Sequence, residues 1–487
     1  MELKRAIDLM NADASELDPA LAETDAVSFF IDSRDVLQGG VFFALSQPDY
    51  ANNGFNGDFD DATRYVPEAF DKGTIACVVR RDRYSEHRRD LEPFLHRLVF
   101  VDDTIAALQR LAGGVYADWG KPVVAITGSA GKTTAKELTA HVLSRGGHHV
   151  LRNIKNYNNG IGHPLTVLKL IAEPDHDIAV LEMGMSTPMH EIERLCRITP
   201  PDVSVVLNVL PVHLEHLGSI ERIAEAKAEI VAGMKPGGTA VLNADDPRVL
   251  AMSSLSKGST VTFGVREPAD IMARGQRSSG FGQTEFTLVC PSGEARVKFP
   301  LDGLHNVYNA LAAAAVGLGF GMNVGEIADA LTDVGVPEQR GEILRFAAGF
   351  TVINDSYNSN PDALLSMAGT LVEGAGTGRK IVVAGEMLEL GTDAAKIHED
   401  TGRKLASMGI DVLIGVRGMA ESLVLGAKGG GSETAIFCVD SDEAGAKLTA
   451  IVQAGDVVLV KGSRGVRTEK VVEAIRSKFE LEAARSA

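Results

Sequence analysis

Val123-Val124-Ala125-Ile126-Thr127-Gly128-Ser129-Ala130-Gly131-Lys132-Thr133-Thr134 leaves an apolar run and enters a glycine-bearing turn. Glu137, Leu138, Ala140, Val142 and Leu143 follow with helical spacing, so the segment reads as strand, turn and helix. N–H groups in such a turn point inward and, with the helix N-terminus, cradle phosphate oxygens. Lys132 is placed to reach the β- and γ-phosphates, and the Thr133 hydroxyl to bind Mg²⁺. Ile126 stands where the usual motif has its first glycine, so the match is incomplete. An ordinary strand-to-helix turn with a surface lysine uses the same residue types. The strand–turn–helix context favours a nucleotide, ATP or GTP.

The 487 residues are long for one core; at roughly 150 residues per domain the chain divides into about three. Apolar residues at 45% and charged ones at 23% are ordinary for a globular enzyme. The net charge of −17 argues against nucleic acid or an anionic membrane as the main partner. A phosphorylated substrate stays possible, because a pocket can be locally basic. Cys77, Cys196, Cys290 and Cys438 are scattered without CxxC spacing, which implies neither a disulfide framework nor a zinc site. The N-terminal Met-Glu-Leu-Lys-Arg-Ala lacks the apolar core of a signal peptide, and no run of about 18 apolar residues occurs. The expectation is a cytoplasmic enzyme with reduced thiols.

An α/β chain of three domains is expected: residues 1–115, 116–338 and 339–487. The first holds short strands at Val27–Ile31, Val41–Leu45, Ala76–Arg80 and Arg97–Val101, with a polar loop from Gln47 to Asp61. In the second, Val123–Ile126, Ile178–Glu182, Val203–Val209 and Thr239–Asn243 are continuous apolar runs, as parallel strands covered on both faces require. The third restarts the alternation at Thr351–Asn354, Lys380–Ala384, Asp411–Val416, Ala435–Val439 and Asp456–Val460, a nucleotide-fold pattern. Gly426–Gly431 reads as a flexible loop.

Strand ends supply the candidate chemistry, since the carboxyl ends of parallel strands line the ligand crevice. Glu182 ends Ile178-Ala179-Val180-Leu181 and is placed to hold Mg²⁺ beside Thr133. His213 and His216 follow the next strand, His213 being the better ligand candidate. Ser219 reads as an N-cap with Glu221 in the first turn of the helix it opens. Lys227 falls in the middle of the stripe Ile220, Ile223, Ala224, Ile230 and Val231. A lysine facing inward tends to lose its proton, and a neutral amine can react with CO₂ to give an anionic carbamate. Snorkelling to the edge, or pairing with Glu229 or Glu182, is the competing account. The amide-rich Asn153–Gly162, the pair Asn306 and Asn309 on one helix face, Arg340, Asp355–Pro361 and Lys461–Gly465 complete the polar clusters. Turn chemistry alone would account for each singly.

Together these segments resemble the Mur ligase family. The resemblance rests on Thr127–Thr134, Asn158–Thr166, Glu182-Met183-Gly184, His213-Leu214-Glu215, Ile223–Ile230, His305–Ala310, Asp355–Pro361, Gly385–Gly391, His398 and Lys461–Gly465, and covers nearly the whole chain. Asp355–Pro361 and Gly385–Gly391 look like the branch that adds D-alanyl-D-alanine. The Asp-Asn-Pro-Arg motif of the branch adding diaminopimelate or lysine is absent from the sequence.

The resemblance implies an N-terminal domain for the UDP end of the substrate, a central P-loop-type ATPase domain on a parallel sheet, and a Rossmann-like C-terminal domain. It implies a cytoplasmic monomer that joins D-alanyl-D-alanine to UDP-MurNAc-tripeptide through an acyl phosphate, in peptidoglycan precursor synthesis, with ATP and Mg²⁺. ATP contacts would come from Gly128, Ser129, Ala130, Gly131, Lys132, Thr133 and Thr134, with Asn306 and Asn309 reading adenine. Arg340 and Asp355 would close the third domain onto the nucleotide. Thr133 and Glu182 would hold one metal ion; His213 and a carbamylated Lys227 would hold a second. Lys132, Lys227 and His213 would be the catalytic set. Ser33, Arg34, Asn158, Asn159, Tyr357, Asn358, Lys461 and Arg464 would bind substrate. Members of the family commonly follow the Phe-x-Ala-Leu strand with Asp-Gly-His, whereas this chain has Ser46–Gly57 there. A related ligase, such as another muramyl-peptide ligase or a folylpolyglutamate synthase, is an alternative, and a nucleotide-dependent switch protein is a more distant one.

Overall fold

The computed structural model describes residues 1–55, 59–154, 156–185, 190–211, 217–278, 281–335 and 338–482. Three sheets follow one another along the chain.

The first is four-stranded and parallel, with Phe29–Phe30, Val41–Phe43, Ala76–Arg80 and Leu98–Val101 in sequence order. The expected polar loop at Gln47 begins instead as the helix Gln47–Asn52. Pro48 in its first turn suits a helix start. Asp49 is fully buried there, accepting from Ser46 Oγ at 2.8 Å and Thr104 N–H at 3.0 Å, and pairing with Arg80 at 2.6 Å. That network folds a composition that reads as loop. The helix Thr104–Trp119, capped by Asp103, runs across position 115 and ends only at Gly120, whose φ of 65° stops it. Its Leu108, Leu111 and Val115 share one apolar core with Val123 and Ala125 of the next sheet.

The second sheet has nine strands in the order Gly293–Phe299, Thr284–Cys290, Ile271–Ser278, Ser259–Gly264, Thr239–Asn243, Val203–Val206, Val123–Thr127, Ile178–Glu182 and Val150–Arg152. Val123–Thr127 and Ile178–Glu182 are buried along their whole length, as their apolar runs required. The sheet is parallel, as expected, from Val150–Arg152 through Ile271–Ser278, and Thr284–Cys290 pairs antiparallel with both Ile271–Ser278 and Gly293–Phe299. Only Pro291 and Ser292 separate Cys290 from Gly293, and so short a connection joins antiparallel strands alone.

The third sheet has six strands, ordered Glu342–Arg345, Thr351–Asp355, Val457–Lys461, Lys380–Gly385, Val412–Val416 and Ala435–Cys438; all but the first are parallel. The expected loop at Gly426–Gly431 is corrected as well: Gly426–Gly429 end the helix Ala420–Gly429. A Cβ on Gly426 would lie 1.9 Å from the Glu399 carbonyl oxygen, and one on Gly402 would lie 2.0 Å from that of Leu423. The glycines let two helices touch backbone to backbone.

Cys77, Cys196, Cys290 and Cys438 are buried and unpaired. Burial pushes the thiols of Cys77 and Cys196 up to about 12 and that of Cys438 up to about 11. Among the described residues no helix is long and apolar enough to cross a membrane.

Candidate active site

The turn after Val123–Thr127 delivers Gly131 at φ 84° to the start of the helix Lys132–Arg145. A Cβ at Gly131 would lie 2.5 Å from Asn309 Oδ1, so both the conformation and the space demand glycine. The first N–H groups of this helix have no carbonyl a turn earlier, and Lys132, Thr133 and Thr134, which carry them, line a cavity. Lys132 Nζ donates to the carbonyl of its own loop at Gly128, 2.9 Å away. Burial lowers its pKa, opposed by the nearby carboxylates of Glu182 and Glu389 and aided by Arg340.

Ile126 is in register with Glu182 of the neighbouring strand, which brings the strand end to the turn. Thr133 Oγ1 donates to Glu182 Oε2 at 2.8 Å, and Asn158 Nδ2 donates to Glu182 Oε1 at 2.7 Å. Asn153 fixes the same strand end from behind, accepting from the Glu182 N–H and donating to its carbonyl, each at 3.0 Å. The amide-rich segment is therefore the frame of the buried carboxylate. A hydroxyl and a carboxylate this close form a hard oxygen donor set, which suits Mg²⁺.

Ser219 accepts from the Arg222 N–H and caps the helix Ile220–Ala232. Lys227 on that helix is 2% exposed. Its pKa is driven well down by burial and secondarily by the Lys132 charge. The competing partner Glu229 is engaged by His190 at 2.9 Å, and Glu182 by Thr133 and Asn158. The inward lysine read from the apolar stripe stands. His213 and His216 lie in residues 212–216, outside the described residues.

From the third sheet, Asp355 and Lys461 are register partners at the ends of adjacent strands, with Nζ to Oδ2 at 2.5 Å. Lys461 also donates to the Asn358 carbonyl at 3.0 Å. The Arg340 guanidinium stacks 4.0 Å from the centre of the Tyr357 ring, and Arg464 lies 5.6 Å from the same centre. His305 Nδ1 is 3.3 Å from Ser366 Oγ across the two domains, and burial pushes its pKa down to about 4. Asn309 Nδ2 donates to Asn306 Oδ1 at 3.2 Å, and Asn306 Nδ2 to the Asp302 carbonyl at 2.8 Å, which fixes both amides.

One cavity gathers Ser129–Thr134, Asn158 and Glu182 with Asn306, Asn309, Arg340, Asp355, Tyr357, Asn358 and Lys461. Gly128, Asn159, Lys227 and Arg464 stand outside its lining. Asn159 Oδ1 accepts from the Ile161 and Gly162 N–H groups and shapes the turn. His398 holds the Gly385–Gly391 segment, accepting from the Met387 N–H at 2.9 Å. Ser33 and Arg34 lie apart, beside a groove between Val27–Asp35 and the side chains of Tyr157, Leu165 and Leu168. Arg34 binds Asp32 at 2.8 Å, which holds the Asp32 carboxyl at about 2. Sequence reasoning assigned no role to Asn208, nor to His305 beyond its place in the segment His305–Ala310. The signal for Asn208 was its place just after a strand adjoining the phosphate turn.

The model of the Mur ligase middle domain matches residues 126–317, and that of the Mur ligase glutamate ligase domain matches residues 339–464. UDP-N-acetylmuramoyl-tripeptide–D-alanyl-D-alanine ligase of Bacillus subtilis is 33% identical over 91% of each chain. MurF from Acinetobacter baumannii superposes with a TM-score of 0.84, at 27% identity over 98% of each chain. MurF ligase of Thermotoga maritima, crystallised with ADP, gives a TM-score of 0.77 at 28% identity, over 93% of this chain and 97% of that one.

Proposed function

The chain belongs to the Mur ligase family, and from that premise we infer that it is an ATP-dependent ligase joining D-alanyl-D-alanine to UDP-N-acetylmuramoyl-tripeptide in peptidoglycan synthesis. The observation that carries the reading is the cavity itself, where the phosphate turn of one family-matched segment faces Arg340, Asp355 and Lys461 of the other.

A free carboxylate is a poor electrophile, so the chemistry runs through an acyl phosphate. The terminal carboxylate oxygen of the tripeptide attacks the γ-phosphorus of ATP and the bond to ADP breaks. The amine of D-alanyl-D-alanine then attacks the acyl carbon, phosphate leaves, and the amine's proton is lost. Lys132 and the helix N–H groups balance the charge of two anions brought together. An arriving triphosphate restores the proton affinity that burial takes from Lys132. Thr133 and Glu182 would hold Mg²⁺, which supplies further charge neutralisation at the β- and γ-phosphates. Lys227 is desolvated enough to add to CO₂, its nitrogen bonding carbon as a proton leaves. The resulting carbamate, with His213, would give a second, acceptor-side metal position.

Asn306 and Asn309 would read the base; Arg340 and Asp355 would hold the third domain on the nucleotide. Tyr357, Asn358, Lys461 and Arg464 would bind substrate, and the Arg464 guanidinium suits the carboxylate of the incoming dipeptide. Asn158 and Asn159 would flank the acceptor peptide, and Ser33 and Arg34 its UDP end. The nucleotide-linked substrates suit a cytoplasmic enzyme, and a monomer is the state proposed for it. The test is ADP release from Mg-ATP with UDP-MurNAc-tripeptide, with and without D-alanyl-D-alanine. Release that needs both substrates is the expected result. Release indifferent to D-alanyl-D-alanine would leave an ATPase of this fold and remove the assignment.

A further inference from the structure

The side chain of Asn208 has no part in the reaction just described, yet the phosphate turn is built on it. Asn208 leaves the strand Val203–Val206, which lies beside Val123–Thr127 with Val206 opposite Thr127. The loops that leave the two strands are neighbours. Asn208 Oδ1 accepts from the Ala130 N–H at 2.9 Å, and its Nδ2 donates to the Ala130 carbonyl at 3.1 Å. The Asn208 carbonyl accepts from the Ser129 N–H at 3.1 Å. The Ser129 hydroxyl accepts from the Leu210 N–H at 2.9 Å and donates to the Leu210 carbonyl at 3.1 Å. Gly128 lies against Leu207, whose Cβ would be 2.9 Å from a Cβ added there. The clamping loop is itself tied down, since the Val209 N–H donates to Asp246 at 2.8 Å.

Two consequences follow from these bonds. The N–H groups of Ser129 and Ala130 are engaged by Asn208, so the anion cradle moves to Gly131 and the first turn of the helix. The incomplete glycine pattern also gains a physical account. Ile126 is fully buried in its strand, and the turn takes its shape from a neighbouring side chain rather than from a glycine at that place.

We propose that Asn208 is a positioning residue whose amide, paired with both polar groups of Ala130, holds the phosphate turn in its nucleotide-binding shape. The role depends on the nucleotide part of the ligase reading and not on the identity of the acceptor.

The experiment measures Kd for Mg-ADP and, separately, for UDP-MurNAc-tripeptide, with the melting temperature, in the parent, Asn208→Ala and Asn208→Asp. Loss of the two side-chain bonds weakens Mg-ADP about tenfold in Asn208→Ala. Asn208→Asp is isosteric and keeps the acceptor for the Ala130 N–H. It sets a negative charge against the Ala130 carbonyl near the phosphates, so it binds Mg-ADP more weakly still. Affinity for UDP-MurNAc-tripeptide stays within about twofold of the parent in both, a split that general loosening of the fold would not produce. Mg-ADP affinity within about twofold of the parent in either variant overturns the proposal, as does an equal loss for both ligands. Should Asn208→Ala fail to fold, Asn208→Asp decides alone. A parent enzyme that releases ADP without D-alanyl-D-alanine refutes the ligase assignment, and the Mg-ADP affinities then decide the role of Asn208 by themselves.

Discussion

Lys227 shows how one residue can be read from spacing and then weighed by its surroundings. It lies 2% exposed on a capped helix, and no carboxylate among the described residues contributes to its titration. An uncompensated buried ammonium costs several kcal/mol, so the neutral amine is the form the site favours. Lys227→Ala is expected to lower kcat by about 10²-fold or more, with partial recovery on adding short-chain carboxylic acids that stand in for the carbamate. Turnover measured with and without acetate checks this; full activity without added acid would remove Lys227 from the mechanism. Glu182 was equally legible, because its place at the end of an apolar strand is a property of sequence. Asn208 was not. Its place just after a strand was the one signal, and the partners themselves are backbone atoms 78 residues away, which that place alone does not identify.

Elements were legible where apolar runs mark strands covered on both faces, as at Val123–Thr127 and Ile178–Glu182. They were illegible where composition and role diverge. Thr284–Cys290 alternates buried with half-buried positions and Gly293–Phe299 carries exposed polar residues, so no continuous apolar run betrays them. Gly426–Gly429 have loop composition, but Gly426 serves the contact between the helices Ala394–Ser407 and Ala420–Gly429. Gly426→Ala forces those backbones apart, at a cost of about 3 kcal/mol. A fall in melting temperature of several degrees is expected for the C-terminal domain. A melt within about 2 °C of the parent would mean that the helices separate at little cost.

At the scale of the whole molecule, acid bears on the interior through two buried histidines. His163 is fully buried, its Nε2 is 2.8 Å from Thr199 Oγ1, and burial pushes its pKa down to about 3. His305, between the second and third domains, is pushed to about 4. An unfolded chain protonates both near pH 6.5, so between there and their folded values it binds more protons than the native state. Their contribution is fully present above about pH 6.5 and is lost as the pH falls toward 4 and then 3, by up to about tenfold in the folding equilibrium per pH unit for each. Urea denaturation between pH 7 and pH 4.5 is expected to show this decline, with a shallower slope in His163→Gln. An unchanged slope in that variant would acquit His163.

The buried cysteines carry a consequence of a different kind. With no thiol at the surface among the described residues, and three of the four pushed far from thiolate, the folded protein should be silent to maleimide dyes. A pair of cysteines introduced on the first and third domains would then be the only reactive positions. The native chain is thus its own blank for fluorescence energy transfer, and the spread of distances between those domains becomes readable without first stripping out any natural residue.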